Sequence, residues 1–228
     1  MGLKKAKLIA KKILNHDVFE LKFFSENFEF EKGQFVNIKI DDQGQFPCFR
    51  AYSIAGQNKK NEFDLCIKIV ENGRGSNWLN QIKNEAEVEF LGPIGKFTFQ
   101  KNNNDVFFVA TGTGVAPFKA MIEEELNNGF KGNIKLLFGL RNEENVFYKE
   151  LFEDLEKKHK NFQFYLTLSR PNDLWKGLQG RVTEHLEKLI NTKDDVYICG
   201  LKAMIDSITD ILEEIKFPKE QIFTEKFD

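Results

Sequence analysis

The feature that most constrains this chain is a change of hydrophobic rhythm at the polar stretch KNNND, residues 101–105. Before it, from Leu8 to about Thr98, apolar residues fall in short alternating runs (VFELKFF, GQFVNIKI, FRAYSIA, FDLCIKIV, AEVEFLGP) separated by turn residues. Alternation with period two puts every second side chain on one face of a strand, and strands at this spacing close into an antiparallel barrel. After it, continuous apolar runs alternate with helical stretches. The strands predicted are VFFVA (106–110), NIKLLFGL (133–140), FQFYLTLS (162–169) and VYICG (196–200), with helices near 116–128, 146–158, 182–190 and 202–215. Strands buried on both faces between helices make a parallel sheet. The expected fold is therefore two-domain, β followed by α/β. Residues 1–100 form an antiparallel β-barrel and residues 101–228 a parallel-sheet, nucleotide-binding α/β domain, packed together with a cleft between them. Within the barrel half, SNWLNQIK (76–83) is the one good helix, with Ser76 as its N-cap.

Composition acts mainly by exclusion. Lys and Arg total 33 against 35 for Asp and Glu, a formal charge of -2, so the chain has no general attraction for nucleic acid. Cys48, Cys66 and Cys199 are an odd number of distant cysteines, which builds neither a disulfide framework nor a thiolate-held iron–sulfur centre. No apolar run reaches the roughly 18 residues that cross a bilayer. The basic start, with IAKKIL and VFELKFF, reads as strand rather than as an amphipathic membrane helix. A cytoplasmic protein without membrane insertion, acting as a monomer, is expected. The 24 phenylalanines are read as core filler.

Two segments carry chemistry. In VFFVATGTGVAPFKAMIEEEL (106–126) a buried strand, a glycine-rich turn and a helix follow one another. Gly112 and Gly114 allow tight turning and close approach of a phosphate to amides at a helix start. The dinucleotide fingerprint G-x-G-x-x-G is broken, because Pro117 occupies its last position. In Arg50-Ala51-Tyr52-Ser53 a cation, an aromatic ring and a hydroxyl lie along a strand, with Arg50 and Tyr52 on one face and Ser53 on the other. Arginine pairs with phosphate through two hydrogen bonds, and tyrosine covers a flat ring.

Together these segments resemble the ferredoxin–NADP reductase-like flavoprotein reductases, over nearly the whole chain and with the motifs in the family's order. Arg50-Ala51-Tyr52-Ser53 is similar to the family's R-x-Y-S flavin motif. The resemblance implies that Arg50 holds the flavin diphosphate, Tyr52 lies along the isoalloxazine and Ser53 approaches its N5. Gly73-Arg74-Gly75-Ser76 resembles the second flavin motif, where amides and a hydroxyl at a helix start receive the diphosphate. Gly92-Pro93-Ile94-Gly95-Lys96-Phe97 resembles the turn that closes the barrel, and Thr111-Gly112-Thr113-Gly114-Val115-Ala116-Pro117 the pyridine-nucleotide loop.

Later motifs refine the expectation. Cys199-Gly200 resembles the Cys-Gly pair that borders the nicotinamide during hydride transfer, with Cys199 in a packing and steering role rather than as a nucleophile. Ser169-Arg170, Arg181 after the turn Gln179-Gly180, and Arg141 match the cations that bacterial NADP-dependent members direct at the adenosine 2′-phosphate. Asp173 nearby is the kind of residue that an NAD-specific site presents to the ribose. Phe227 stands where relatives put an aromatic residue against the flavin, without the phenol that many of them carry. His16, His159 and His185 lie outside every motif.

The resemblance thus implies an enzyme with FAD in the barrel and NADP(H) on the α/β domain, like the ferredoxin or flavodoxin–NADP reductases. Ser53 and Cys199 would shape the site of hydride transfer, and a separate ferredoxin or flavodoxin would exchange single electrons with the flavin. Two other readings fit the same motifs: an NADH-dependent reductase component of an oxygenase, and a non-autonomous flavin-binding electron-transfer subunit. One known subunit of the latter kind ends in a cysteine-rich cluster site, which this sequence lacks.

Overall fold

The alternating runs of the first half become six antiparallel strands: β1 (Lys4–Ile13), β2 (Val18–Phe24), β3 (Phe35–Ile40), β4 (Cys48–Gly56), β5 (Glu62–Lys68) and β6 (Glu87–Ile94). They form a closed barrel in the order β1-β2-β5-β4-β3-β6, in a computed structural model that describes residues 2–42, 46, 48–57, 59–102 and 104–227. β6 closes the barrel by pairing with β1 on one side, Ala6 opposite Val88, and with β3 on the other, Ile38 opposite Phe90. In β3 the pleat buries Val36, Ile38 and Ile40 completely and turns Asn37 and Lys39 outward. Phenylalanine supplies much of this barrel core. Phe28 meets Phe63 and Phe90 at ring separations of 4.8 and 5.3 Å, and Phe23 stacks on Phe63 at 5.4 Å, inside the barrel. The basic N-terminal segment is β1, as its alternation requires.

Helix α1 (Arg74–Gln81) packs Leu79 into the barrel core. It starts two residues earlier than the sequence predicts, with Gly73 in the N-cap position.

In the second half six parallel strands form a sheet of order β10-β9-β8-β7-β11-β12. These are β7 (Val106–Thr111), β8 (Ile134–Leu140), β9 (Phe162–Leu168), β10 (Leu178–Gln179), β11 (Asp195–Leu201) and β12 (Ile222–Phe227). The four continuous apolar runs are the four central strands. β10 and β12 were not foreseen, because they are the edge strands: one is a two-residue pairing and the other, IFTEKF, mixes apolar with polar residues. Helices α2 (Ala116–Asn127), α3 (Lys149–Lys158), α4 (Leu186–Leu189) and α5 (Lys202–Glu214) connect the strands. α3 begins later than expected because Tyr148 takes a left-handed φ of 58°. The expected helix over 182–190 is a 3-10 turn, Val182–Glu184, followed by the single turn of α4. The Glu184 carboxylate folds back onto the Arg181 amide, and the β-branched pair Val182-Thr183 is unfavourable in a helix.

Packing divides the chain into two units, residues 1–99 with 116–124 and residues 100–115 with 125–228. Most of α2 therefore groups with the barrel, although the sequence reading put all of residues 101–228 in the second domain. Lys119 shows why: its ammonium, on a side chain only 5% exposed as a residue, donates to the Ala55 carbonyl at 3.1 Å and to Glu123 at 3.2 Å. Among the described residues no helix is long and apolar enough to cross a membrane.

Candidate functional site

In the barrel unit β4 carries Arg50, Ala51, Tyr52 and Ser53, held against β3 with Ile38 opposite Arg50 and Val36 opposite Tyr52. Arg50 and Tyr52 share a face and both meet the first turn of α1. A methyl group on Gly75 would lie 2.8 Å from Arg50 Cγ and 3.0 Å from Tyr52 Oη, so only glycine lets the helix start this close. Tyr52 packs against the barrel core, and burial pushes its phenol up to about 12; at neutral pH it is a protonated donor. Ser53, on the opposite face, is 5% exposed, while Arg50 and Ala51 are exposed. Arg50 donates to the Phe49 carbonyl at 3.0 Å, a bond that leaves most of its five donors for other acceptors.

The start of α1 differs from expectation in its cap. Ser76 is not the N-cap. Gly73, with extended backbone, holds that position without a side-chain bond, and Ser76 is the third helical residue. Its hydroxyl accepts from the Val70 amide at 3.1 Å and lies 3.3 Å from the Gly73 carbonyl, closing the 70–76 turn. A helix whose cap residue offers no side chain leaves its first amides for an outside acceptor. The Arg74 side chain is engaged within the barrel unit. It pairs with both oxygens of Asp42, at 2.5 and 2.6 Å, and donates to the Phe46 carbonyl at 2.6 Å. The Arg74 guanidinium in turn holds the Asp42 carboxyl below the usual carboxylate range. Asp42 was missed by sequence reasoning; its only signal is an acidic pair, Asp41-Asp42, directly after β3. A pocket of about 690 Å³ opens beside this pair, lined by Asp42, Gly73, Arg74, Asn77 and Trp78 among others.

In the sheet unit the sequence-predicted residues gather at the carboxyl ends of the strands. β8 lies on one side of β7 and β11 on the other, so the strand order reverses at β7, the position where ligands bind in open parallel sheets. β7 ends at Thr111, and Gly112, Thr113 and Gly114 form a 3-10 turn that feeds α2. Gly112 takes a φ of +54° with open space where a Cβ would point. Gly114 is packed tightly: a Cβ there would lie 2.4 Å from the Cys199 carbonyl oxygen. A Cβ on Gly200 would meet Thr111 Oγ1 at 2.5 Å, so Thr111, Gly114, Cys199 and Gly200 make one close corner. The Cys199 side chain is fully buried, and burial, helped by the Glu225 carboxylate, pushes its thiol well above the ordinary value.

Arg141, Ser169-Arg170 and Arg181 follow the adjacent strands β8, β9 and β10, all with exposed side chains. Backbone bonds tie these loops together: Ser169 N to the Leu140 carbonyl at 3.0 Å, Arg170 N to Arg141 at 2.7 Å and Gly180 N to Leu168 at 2.9 Å. Phe227 is not a loose tail residue but the last residue of β12, paired with Leu201. His185 contacts the Gln179 carbonyl at 2.9 Å, a structural contact. Among the described residues, no group of three or more His, Cys, Asp or Glu is placed to hold a metal ion.

Known proteins divide this chain in the same order. The oxidoreductase FAD-binding domain family matches residues 5–99, and the oxidoreductase NAD-binding domain family matches residues 108–210. Ferredoxin–NADP reductase B of Sorangium cellulosum is 33% identical over 237 residues, covering 98% of this chain and 97% of the relative. NADH-cytochrome b5 reductase 1 of Dictyostelium discoideum is 31% identical over 232 residues, covering 97% and 81%. The chain also matches the electron transfer component of an anthranilate 1,2-dioxygenase of Acinetobacter baylyi and the reductase component of a phenol 2-monooxygenase of a Pseudomonas species, of whose length it spans 59% and 58%. In fold it is similar to the ferredoxin–NADP+ reductase from Plasmodium falciparum solved with 2′P-AMP: the TM-score is 0.84 at 23% identity, covering 99% of this chain and 96% of that one. A flavin-binding barrel with a pyridine-nucleotide sheet defines an FAD- and NAD(P)-binding oxidoreductase. Within that class, the chain belongs to the ferredoxin–NADP reductase-like flavoprotein reductases.

Proposed function

We propose that this protein is a cytoplasmic FAD-dependent reductase that takes hydride from NADPH and passes electrons one at a time to a separate ferredoxin or flavodoxin, working as a monomer. Residues 1–100 supply the FAD site and residues 101–228 the NADP(H) site. The observation that carries the choice of NADPH is the row of Arg141, Arg170 and Arg181 at three adjacent strand ends, a charge pattern suited to a 2′-phosphate. The high coverage of the Sorangium ferredoxin–NADP reductase supports the same choice. Three free thiols suit a reducing compartment.

The chain's own residues fit FAD. Gly75 gives the close approach that Arg50 and Tyr52 need beside the uncapped start of α1. In this reading Arg50 pairs with the diphosphate, while the amides of Arg74, Gly75 and Ser76 receive it beyond Gly73, whose own amide donates to the Val70 carbonyl at 2.8 Å. Arg74 contributes through its backbone, since its guanidinium is occupied by Asp42. Ala51 contributes backbone, Tyr52 covers the ring with a neutral phenol, and Ser53 presents a hydroxyl to it. Bound FAD would supply the redox chemistry, accepting two electrons as hydride and releasing them singly. Thr111, Gly112, Thr113 and Gly114 hold the coenzyme pyrophosphate against the start of α2, and Ser169 joins the arginines at the adenosine end. Cys199 and Gly200 border the nicotinamide, with Cys199 shaping the space as an uncharged group. Phe227 stacks as the aromatic partner near the flavin. Rate then comes from orientation and exclusion of water.

The Dictyostelium relative, an NADH enzyme by name, supports a second reading in which NADH is the donor. Chromatography of the flavin released by heating distinguishes FAD, the expected result, from FMN. Turnover with ferredoxin and with flavodoxin, each under NADPH and NADH, tests donor and acceptor together; reduction of neither carrier would overturn the proposal.

A further inference from the structure

The cation row stands on short loops, so the stiffness of each loop decides where its charge is held. The loop after β9 is braced onto the turn after β8 at two points. Arg170 N donates to the Arg141 carbonyl at 2.7 Å, and Asn172 N donates to the Glu143 carboxylate at 2.9 Å. Pro171 lies between these points. Its ring fixes its own φ and biases Arg170 toward extended backbone. Beyond it the loop folds back, with Leu174 N donating to Asn172 Oδ1 at 2.8 Å and Trp175 N to the Asn172 carbonyl at 3.1 Å. Glu143 opens the 3-10 turn Glu143–Asn145, two residues beyond Arg141, so its own position is fixed by that turn.

A carboxylate beside arginines has two opposite effects. By charge alone it repels a phosphate. As an acceptor for a loop amide it orders the segment that carries Arg170 and removes the cost of ordering it when ligand binds. We infer that Glu143 is a positioning residue that raises the preference for a 2′-phosphorylated coenzyme, acting through the backbone of the Arg170 loop. The inference rests on the NADPH reading above. It also distinguishes Glu143 from the acidic residue of an NAD site, because one of its oxygens is taken by an amide and not presented to a ribose.

The test is calorimetric titration of the FAD-loaded full chain with adenosine 2′,5′-bisphosphate and with adenosine 5′-monophosphate. Variants are Glu143→Ala, Glu143→Gln, Arg170→Ala and the double alanine variant, each first checked for flavin content and melting temperature. Glu143→Ala is expected to weaken the bisphosphate about tenfold and to leave the monophosphate unchanged. Glu143→Gln keeps the acceptor and loses the charge, so it should bind the bisphosphate at least as tightly as the parent. The double variant should be little weaker than Arg170→Ala alone, because both changes act on one group. Bisphosphate binding in Glu143→Ala that is unchanged or tighter, an equal loss for both ligands, or a loss in Glu143→Gln as large as in Glu143→Ala would overturn the role of Glu143. If Arg170→Ala itself leaves the bisphosphate preference intact, the NADPH reading fails instead, and the two failures are separable.

Discussion

The place of a Cβ on Gly75 lies 3.0 Å from the hydroxyl of Tyr52. This one separation joins two motifs that lie more than twenty residues apart in sequence: the strand with Arg50 and Tyr52, and the helix start with Gly73 and Ser76. Gly75→Ala must push back either the ring or the Arg50 stem. Overpacking of this kind costs about 1–3 kcal/mol. We expect a lower melting temperature and at least a tenfold weaker hold on FAD, measured by flavin fluorescence on dilution. Parent-like FAD affinity would separate the two motifs.

Burial of Tyr52 gives a pH prediction. Its folded-state value of about 12 lies above the roughly 10 of an unfolded tyrosine. The folded protein therefore keeps a proton that the unfolded chain loses, and this contribution to stability is present below about pH 10 and lost as pH rises toward the folded value. Tyr52→Phe should lose less stability than the parent between pH 9 and 11 in denaturant melts. Equal losses would contradict the burial argument.

The Asp42–Arg74 pair works in the opposite sense. Arg74 holds the Asp42 carboxyl below its usual range, so the pair's contribution is complete above about pH 4 and is lost as pH falls through the folded value. Asp42→Asn should melt below the parent at pH 7, with the gap narrowing at pH 3. A gap of the same size at both values would mean that the bidentate contact contributes nothing through charge.

How much of this was legible beforehand depends on the range of each interaction. Period-two and continuous apolar patterns are local, and they gave the six barrel strands and the four central strands of the sheet. The edge strand Ile222–Phe227 has a mixed pattern because one side of it lacks a neighbour, so its residues carry no strand signal and the pairing of Phe227 with Leu201 is not legible locally. Gly73 took the cap position from Ser76 because the Ser76 hydroxyl found the Val70 amide, a contact set by the closure of a turn. The partnership of Arg74 with Asp42 spans 32 residues and has no local signature. Lys119 likewise has no local signature, because its bond to the Ala55 carbonyl spans 64 residues.

The corner formed by Gly114 and Cys199 predicts a different phenotype. A methyl group on Gly114 would lie 2.4 Å from the Cys199 carbonyl oxygen, an atom of the backbone that cannot swing away. Gly114→Ala should keep its FAD while flavin reduction by the coenzyme slows at least tenfold, about 1.4 kcal/mol of barrier. Loss of FAD with no change in reduction rate of the remaining holoprotein would contradict the assignment.

Cys199 is expected to behave as a buried thiol. Its raised value predicts no reaction of the folded protein with iodoacetamide at this residue at pH 8, and prompt reaction after unfolding, read by peptide mass. Cys199→Ala should slow flavin reduction without abolishing it. Complete loss of reduction together with native-state alkylation would point to thiolate chemistry.

The most direct test is an anaerobic absorbance titration of the purified holoprotein with NADPH and, in a separate sample, with NADH. The account predicts that the flavin band bleaches at far lower NADPH than NADH, and that Arg170→Ala and Arg181→Ala narrow the difference. Equal or better reduction by NADH, unaffected by the arginines, would contradict it.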